Sequence, residues 1–218
     1  MTNIASYIDN TLLKSEATPA QIEALCQESA RYRFASVCIQ PVYVPQAAEL
    51  LKDTGVKVCT VIGFPMGVNQ TAVKVFEAYR AVQDGADELD MVINVALIKT
   101  GQLDAARDEI AQVVEHAMGR PVKVILECCF LTDAEKEAAC RVCVEAGAAF
   151  VKTSTGLMGG GATVEDVKLM RRTVGPEMGV KAAGGIRDYA TAVAMIEAGA
   201  NRIGTSAGAK IVESAKEA

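Results

Sequence analysis

The sequence predicts a single (β/α)8 TIM barrel that spans residues 1–218, and three observations support this fold class. Eight short segments rich in β-branched residues alternate with helical segments, which is typical of right-handed βα units and a parallel sheet. Three helical segments end in Gly85, Gly147 or Gly199, each followed by Ala and then a strand, which is the loop chemistry of αβ connections. The length of 218 residues suits one such barrel and argues against a second domain.

An open doubly wound sheet is the alternative fold. It usually contains fewer strands, and no Gly-x-Gly-x-x-Gly motif follows the first predicted strand. The nearest approach to that motif, residues 159–164, has Val164 where the last glycine would stand. A nicotinamide or flavin cofactor is therefore not indicated, and we expect the protein to need no cofactor.

The strands are predicted from β-branched and apolar runs that end in small or turn-forming residues. They cover residues 7–12, 35–39, 56–62, 88–94, 122–127, 150–153, 179–182 and 202–204. The helices begin at recognisable caps, such as the capping box Thr18-Pro19-Ala20-Gln21 and a cap at Thr132. The helices after the first cover residues 45–52, 69–83, 103–118, 133–145, 164–172 and 189–197, with a last one after residue 204.

Composition excludes several classes of function. The net charge is −5 and the chain has five Tyr, five Phe and no Trp, so it offers neither the basic surface nor the stacking platforms of a nucleic-acid-binding protein. No apolar run is long enough to span a membrane, and residues 1–10 lack the features of a signal peptide. We therefore expect no nucleic-acid or membrane partner, and a cytoplasmic location.

The cysteines and the single histidine offer little chemistry. The seven cysteines are predicted to be free thiols, because an odd number without an export signal argues against disulfides. The Cys140 and Cys143 spacing allows a metal or redox interpretation, but both lie on a predicted apolar helix stripe and no second such pair exists, which favours buried structural thiols. His116 is predicted at the end of a surface helix, so zinc sites and histidine-based triads are poor candidates and we expect no metal.

Lysines stand at four positions in predicted strands, always after valine. Several apolar residues follow Lys57 and Lys123, which places these two near strand starts, where we expect them to be solvated. Glycine-containing loops follow Lys152 and Lys181 almost at once, which places them at strand C-terminal ends, the end that carries the chemistry in parallel α/β proteins.

Strand alternation brings a carboxylate to these two lysines. Apolar neighbours of Asp90, Lys152 and Lys181 should face the helices, so the three charged side chains should point into the barrel, with Asp9 beside them. Two cations about 4 Å apart repel by about 4 kcal/mol at an effective dielectric constant of about 20, which corresponds to about 3 pK units. We therefore predict that one lysine is a neutral amine near pH 7, and such an amine is a nucleophile for carbonyl carbon.

Glycine-rich loops beside these strands predict a phosphate site. Short loops after the last two strands lead into helices and offer backbone N–H groups to an anion, although plain βα turns are the alternative interpretation. Asp9 and the loop after Lys152 are assigned to substrate or phosphate binding as well. The predicted binding residues are Asp9, Thr155, Gly156, Gly184, Gly185, Gly204, Thr205 and Ser206.

Six collinear segments together resemble the deoxyribose-phosphate aldolase family over nearly the whole chain. They are residues 8–13 (IDNTLL), 63–67 (GFPMG), 85–94 (GADELDMVIN), 151–156 (VKTSTG), 180–187 (VKAAGGIR) and 202–207 (RIGTSA). The resemblance implies a metal-independent aldolase that reversibly cleaves 2-deoxy-D-ribose 5-phosphate into D-glyceraldehyde 3-phosphate and acetaldehyde, in deoxyribonucleoside catabolism. It implies Lys152 as the Schiff-base lysine, Lys181 as the neighbour that lowers its pKa and helps to transfer protons, and Asp90 as proton donor or acceptor. Barrels of this kind commonly pair, so we expect a homodimer or a larger homo-oligomer.

The chain departs from the family pattern at three places. Asn10 stands where histidine is common, Gln40 where asparagine is common, and residues 157–159 (Leu-Met-Gly) where many members carry Phe-Ser-Thr. These changes leave the predicted nucleophile, acid and base in place and concern substrate affinity and phosphate contacts. Two further hypotheses stay open: a lysine aldolase for another sugar phosphate or a keto acid, and a barrel that binds a sugar phosphate without catalysis.

Overall fold

The protein, described here from a computed structural model that covers residues 3–215, contains a closed barrel of eight parallel strands. Each strand pairs with the next along the chain, and β1 also pairs with β8, which closes the sheet. The strands are β1 Ile8–Leu12, β2 Ser36–Ile39, β3 Lys57–Ile62, β4 Glu88–Val92, β5 Val122–Ile125, β6 Phe150–Lys152, β7 Gly179–Ala183 and β8 Arg202–Thr205. The predicted (β/α)8 barrel is thus confirmed.

Helices follow the strands around the outside of the barrel. They are α1 Pro19–Tyr32, α2 Val44–Leu50, α3 Thr71–Gln83, α4 Val95–Lys99, α5 Leu103–His116, α6 Asp133–Glu145, α7 Val164–Val174, α8 Tyr189–Glu197 and α9 Gly208–Ser214. The predicted bounds of α6 and α8 are confirmed to the residue. The prediction for β4 was two residues too long and missed α4, because the Asn94 side chain accepts a hydrogen bond from the amide of Ala96 and caps this short helix.

The predicted start and stop signals of the helices are confirmed. Thr18 and Gln21 form a reciprocal capping box at α1, and Thr132 forms another with Glu135 at α6. Backbone φ angles of +107°, +77° and +114° at Gly85, Gly147 and Gly199 place these residues in conformations that other residues avoid. Local sequence therefore determines where these helices begin and end.

The barrel interior differs from the layer between the strands and the helices. The outward residues of the strands, such as Leu89, Val151 and Val180, belong to one large apolar core beneath the helices. The interior holds a small apolar group on the side of β2 and β3, formed by Leu13, Cys38, Cys59 and Val61. The rest of the interior holds buried charged side chains, which form the candidate site.

The minor sequence predictions have mixed outcomes. All seven cysteines are free thiols, and Cys140 and Cys143 are buried in α6. His116 is exposed at the last residue of α5, and Lys57 is exposed at the start of β3, as predicted. Lys123, predicted to be solvated, is fully buried, so that prediction was wrong. None of the helices within residues 3–215 combines the length and apolar character that crossing a bilayer requires.

Candidate active site

Lys152 and Lys181 point into the barrel from neighbouring strands and share one carboxylate. The two residues are register partners in the β6–β7 ladder. The Nζ atoms of Lys152 and Lys181 lie 2.8 Å and 2.7 Å from the same atom, Oδ2 of Asp90. The strand alternation read from the sequence therefore placed all three side chains on the correct side of the sheet.

A third lysine, Lys123, belongs to the same cluster. Its Nζ atom lies 3.0 Å from Oδ1 of Asp90 and 2.6 Å from Oε2 of Glu88, and the side chain is fully buried. The prediction of a solvated lysine failed because the start of β5 lies inside the closed barrel, where the Phe150 ring centroid is 5.9 Å from Lys123 Nζ. The alternation of Val122, Lys123 and Val124, together with the register pairing of Lys123 with Asp90, is the signal that could have found it.

Three further ion pairs extend the cluster into a closed ring. Arg202 contacts both Asp9 and Glu88, and Lys181 Nζ lies 2.5 Å from Oδ2 of Asp9. Opposite charges therefore alternate around the interior in the order Asp90, Lys123, Glu88, Arg202, Asp9 and Lys181. Lys152 is attached to this ring through Asp90 alone. Four cationic and three anionic side chains thus lie together, and all are buried except Arg202, which is partly exposed.

The charges of the ring stabilise one another. Burial by itself raises the pKa of the Asp90 carboxyl, but Lys123, Lys152 and Lys181 outweigh it and hold that pKa well below its usual range. Burial lowers the pKa of Lys181, but Asp9 and Asp90 outweigh it and raise that pKa well above its usual value. Lys181 therefore carries its proton at neutral pH. The repulsion between Lys152 and Lys181 that was predicted from the sequence is therefore offset by the carboxylates of Asp9 and Asp90.

A cavity of about 230 Å³ lies at the C-terminal end of the barrel, directly above the cluster. Of the seven charged residues, only Lys152 lines it. The predicted binding residues Thr155, Gly156, Gly184, Gly185, Gly204, Thr205 and Ser206 all line this cavity. Asp9 does not line it, because its side chain is fully buried between Lys181 and Arg202, within the ring beneath the cavity.

Two cationic residues at the cavity were not among the predicted site residues. Lys14 follows β1, Arg187 follows β7, and both are exposed residues that line the cavity. Leu13 and Leu157 add apolar surface to the same cavity. The sequence signal for Lys14 and Arg187 was their place directly after strand C-terminal ends.

The two glycine-rich loops present backbone donors to the cavity. Within residues 3–215, the amides of Gly185 and Ser206 donate no hydrogen bond to another group of the protein. The Thr205 hydroxyl donates to the carbonyl of Ile186 at 2.7 Å and accepts from the amide of Ala207 at 2.9 Å, which ties the two loops together. A Cβ atom at Gly204 would lie 3.2 Å from Cε of Lys181, so this glycine leaves room for the lysine.

One group of potential metal ligands exists among the described residues. The ligand atoms of Cys38, Cys59 and Asp90 all lie within 4.8 Å of one another. A hydrogen bond from Cys59 lowers the pKa of Cys38 to about 7 despite burial. However, Asp90 already binds three ammonium groups, so a divalent cation would have to enter a region with an excess of positive charge.

Comparison with known proteins places this geometry in a family. A family model described as DeoC/LacD family aldolase matches residues 4–214. The chain belongs to this aldolase family. It is 58% identical over 218 residues to a deoxyribose-phosphate aldolase of Caldanaerobacter subterraneus subsp. tengcongensis, a match that covers 99% of this chain and 94% of that protein. A deoxyribose-phosphate aldolase of Thermococcus gammatolerans is 59% identical over 220 residues, covering 99% and 98%.

A solved structure of this aldolase family shares the fold in detail. The deoxyribose phosphate aldolase of Aeropyrum pernix, described as a unique tetrameric structure, superposes with a TM-score of 0.92 at 39% identity, over 98% of this chain and 91% of that one. The resemblance stated from the six sequence segments is therefore confirmed. As a DeoC/LacD family aldolase, the protein is an enzyme of the carbon–carbon lyase class.

Proposed function

We propose that the protein reversibly cleaves 2-deoxy-D-ribose 5-phosphate into D-glyceraldehyde 3-phosphate and acetaldehyde through a Schiff base on Lys152, in deoxyribonucleoside catabolism. One observation carries the assignment of the lysine. Lys152 has a single carboxylate contact, shared with two other lysines, whereas Lys123 and Lys181 each contact two carboxylates. Lys152 is therefore the least paired of the three lysines, and it alone of the three faces the cavity.

The chemistry follows from an amine at the floor of a cavity. The Lys152 amine attacks the C1 aldehyde of the substrate, and loss of water gives an iminium ion. Removal of the C3 hydroxyl proton breaks the C2–C3 bond, and its electron pair flows to the iminium nitrogen, which leaves an enamine and releases D-glyceraldehyde 3-phosphate. Protonation of the enamine at C2 and hydrolysis then release acetaldehyde and restore the amine.

Asp90 and Lys181 supply the proton transfers in this proposal. Oδ2 of Asp90 contacts both Nζ atoms, so it is placed to accept the proton that Lys152 loses on attack. The low pKa of Asp90 and the high pKa of Lys181 keep the pair ionised in the resting site. We assign the transfer at C3 and C2 to this pair acting through water, and we assign Asp9 and Arg202 to holding Lys181 in place.

The phosphate of the substrate is proposed to bind at the far end of the cavity. The amides of Gly185 and Ser206 and the cations Lys14 and Arg187 offer the contacts that a phosphate ester favours. The N-terminus of α8 is less available, because the Asp188 side chain already accepts a hydrogen bond from the amide of Thr191 at 2.8 Å. Binding of the anion is thus assigned to the loops and the two cations.

Borohydride trapping tests the Schiff base directly. Incubation with acetaldehyde and borohydride should convert one lysine to N-ethyl-lysine, and peptide mass mapping should place the ethyl group on residue 152. Lys57, an exposed lysine in the same kind of Val-Lys pair, is an internal control for non-specific alkylation. An ethyl group found chiefly on Lys123 or Lys181, or spread over the exposed lysines, would refute the assignment.

The two alternative hypotheses are separated by activity measurements. A lysine aldolase for another substrate should cleave a fructose phosphate or a keto-deoxy sugar phosphate faster than 2-deoxyribose 5-phosphate. A non-catalytic sugar-phosphate-binding barrel should bind these compounds, for example in calorimetry, without cleavage of any of them and without a trapped adduct. The proposed function requires that 2-deoxyribose 5-phosphate has the highest kcat/KM of the panel.

We also propose that residues 1–218 act as one catalytic domain, in the cytoplasm, and that the chain forms a homodimer or a larger homo-oligomer. The tetrameric relative and an exposed apolar stripe on α3, formed by Val73, Phe76 and Tyr79, support self-association. Sedimentation velocity should give a mass at least twice that of one chain. A mass equal to one chain at micromolar concentration would refute self-association without affecting the proposed chemistry.

A further inference from the structure

Glu127 lies just beyond β5 in an unusual backbone conformation. Its φ and ψ angles are 55° and 64°, which is the left-handed region that residues other than glycine rarely adopt. The amides of Leu126 and Cys128, two residues apart, donate to the consecutive carbonyls of Lys152 and Thr153, each at 2.9 Å. Glu127 is therefore one extra residue in the ladder, a β-bulge, and bulges beside active sites redirect side chains.

The bulge aims a buried carboxylate at the loop that follows the proposed nucleophile. Glu127 is only 1% exposed, and no salt bridge holds it within residues 3–215. Its Oε2 atom accepts hydrogen bonds from the hydroxyl of Thr155 at 2.5 Å and from the amide of Thr155 at 3.2 Å. A buried carboxylate requires such donors, so Glu127 and Thr155 fix each other.

Thr155 passes this constraint to the wall of the cavity. Its hydroxyl oxygen accepts a hydrogen bond from the amide of Leu157 at 3.1 Å, so the hydroxyl links Glu127 to the next turn of the loop. Further along, a Cβ atom at Gly161 would lie 2.5 Å from the carbonyl oxygen of Gly184, and the amide of Ala162 donates to that oxygen at 3.0 Å. The loop from Thr155 to Ala162 therefore packs on the Gly184 turn, which is one of the two proposed phosphate-binding loops.

We propose that Glu127 is a positioning residue that fixes the Thr155–Ala162 loop against the Gly184 turn and thereby sets the affinity for the phosphate-bearing half of the substrate. The inference rests on the function proposed above. Within residues 3–215 the Glu127 side chain forms no hydrogen bond or ion pair with Lys152 or the charged ring, so Schiff-base formation on Lys152 should proceed without it. Loss of the Glu127 carboxylate should weaken substrate binding and leave the amine chemistry intact.

The test is Glu127→Gln, which keeps the size of the side chain but sets an NH2 group against the Thr155 donors. The KM for 2-deoxyribose 5-phosphate should rise about tenfold or more, the size expected for a lost hydrogen bond to a charged group. The kcat/KM for unphosphorylated 2-deoxyribose and the rate of borohydride trapping with acetaldehyde should change less than about threefold. An unchanged KM for the phosphorylated substrate, or an equal loss for both substrates, would overturn the proposal.

Two further variants make the result specific. Glu109→Gln removes another buried carboxylate, one that lies between α3 and α5, and should lower stability without changing the KM.

Thr155→Val removes the hydroxyl that donates a hydrogen bond to Glu127 and should raise the same KM. The double variant should be no worse than Glu127→Gln, because the two residues act as one unit. If Glu127→Gln does not fold, Thr155→Val decides: an unchanged KM rejects the role of the Glu127–Thr155 contact. A wild-type protein that forms no adduct on Lys152 would instead refute the proposed function.

Discussion

The molecule contains two buried clusters of charge, which differ in their balance of cations and anions and in their access to the cavity. Outside the barrel, between α3 and α5, Lys74 is fully buried and pairs with Glu109 at 2.7 Å, and its Nζ also donates to the carbonyl of Val92 at 2.9 Å. Burial lowers the pKa of Lys74, although Glu109 partly offsets this effect. Inside the barrel, four cations share three carboxylates, and Lys152 reaches a cavity.

The comparison shows that a buried lysine with a lowered pKa is not by itself evidence of a nucleophile. Lys74 has its own carboxylate and no access to the cavity, so its pair can only hold α3 and α5 together. The barrel cluster has one cation more than it has anions, and the least paired cation is also the one that substrate can reach. Charge imbalance and access to the cavity are the two features on which the proposal of Lys152 as the reactive amine rests.

The largest expected effects come from replacing Lys152 and Lys74, one at a time, by methionine. Lys152→Met should reduce kcat about 10⁴-fold or more with little loss of folded protein, because Lys14, the other lysine that lines the cavity, lies outside the charged cluster around Asp90. Lys74→Met should keep kcat within about threefold but lower the free energy of unfolding by about 3–5 kcal/mol, because Glu109 is left buried and unpaired. Aldolase assays and urea unfolding of both variants decide, and more than 1% residual activity in Lys152→Met would contradict the assignment of the nucleophile.

The second prediction tests the excess of positive charge. Lys123→Met removes a buried cation that shares Asp90 with Lys152 but does not line the cavity. The site then loses one of the three ammonium groups around Asp90, so its excess of positive charge disappears, and the acidic limb of the kcat/KM profile should move to higher pH by about one to two units. The alkaline limb should stay in place. A profile that does not move would show that Lys123 has only a structural role.

The smallest effect concerns the pH dependence of stability, which should separate the two clusters. The pKa values of Asp9 and Asp90 are lowered, so the stability they contribute is complete above their ordinary value of 3.8 and is lost as the pH falls below it towards their folded values. The pKa of Lys74 is lowered from 10.5, so the unfolded chain binds more protons at that site and stability rises with pH up to about 10.5.

Urea unfolding between pH 3 and pH 10 measures both effects. Wild type and Lys74→Met should lose stability together below about pH 4, because both keep the barrel carboxylates. Only wild type should show the rise that Lys74 contributes on the alkaline side, so the difference between the two should grow with pH there. Parallel curves over the whole range would contradict the lowered pKa of Lys74.

Much of the site could be predicted because a strand has a period of two. The alternation of side chains placed Asp90, Lys152 and Lys181 inside the barrel, and the small residues after each strand located the loops that line the cavity. The same rule also places Lys123 inside. Its position near a strand start predicted a solvated side chain, but the start of β5 is enclosed by the barrel. Glu88 has the same parity as Asp90, so the rule places it inside as well. Arg202 and Glu127 carried no local sign of their roles, because their partners lie on other strands or in other loops.

Short-range features of the sequence account for the local structure of this protein. Capping residues, glycines and apolar periodicity act over a few neighbouring residues, so they can be read without knowledge of the fold, and they specified eight strands, the helix ends and the fold class. The ion-pair ring and the bulge at Glu127 depend on the tertiary structure. The residues Asp9 and Arg202 are separated by 193 positions and meet only when β8 closes on β1. Their pairing depends on barrel closure and strand register, which set distances that no local pattern encodes.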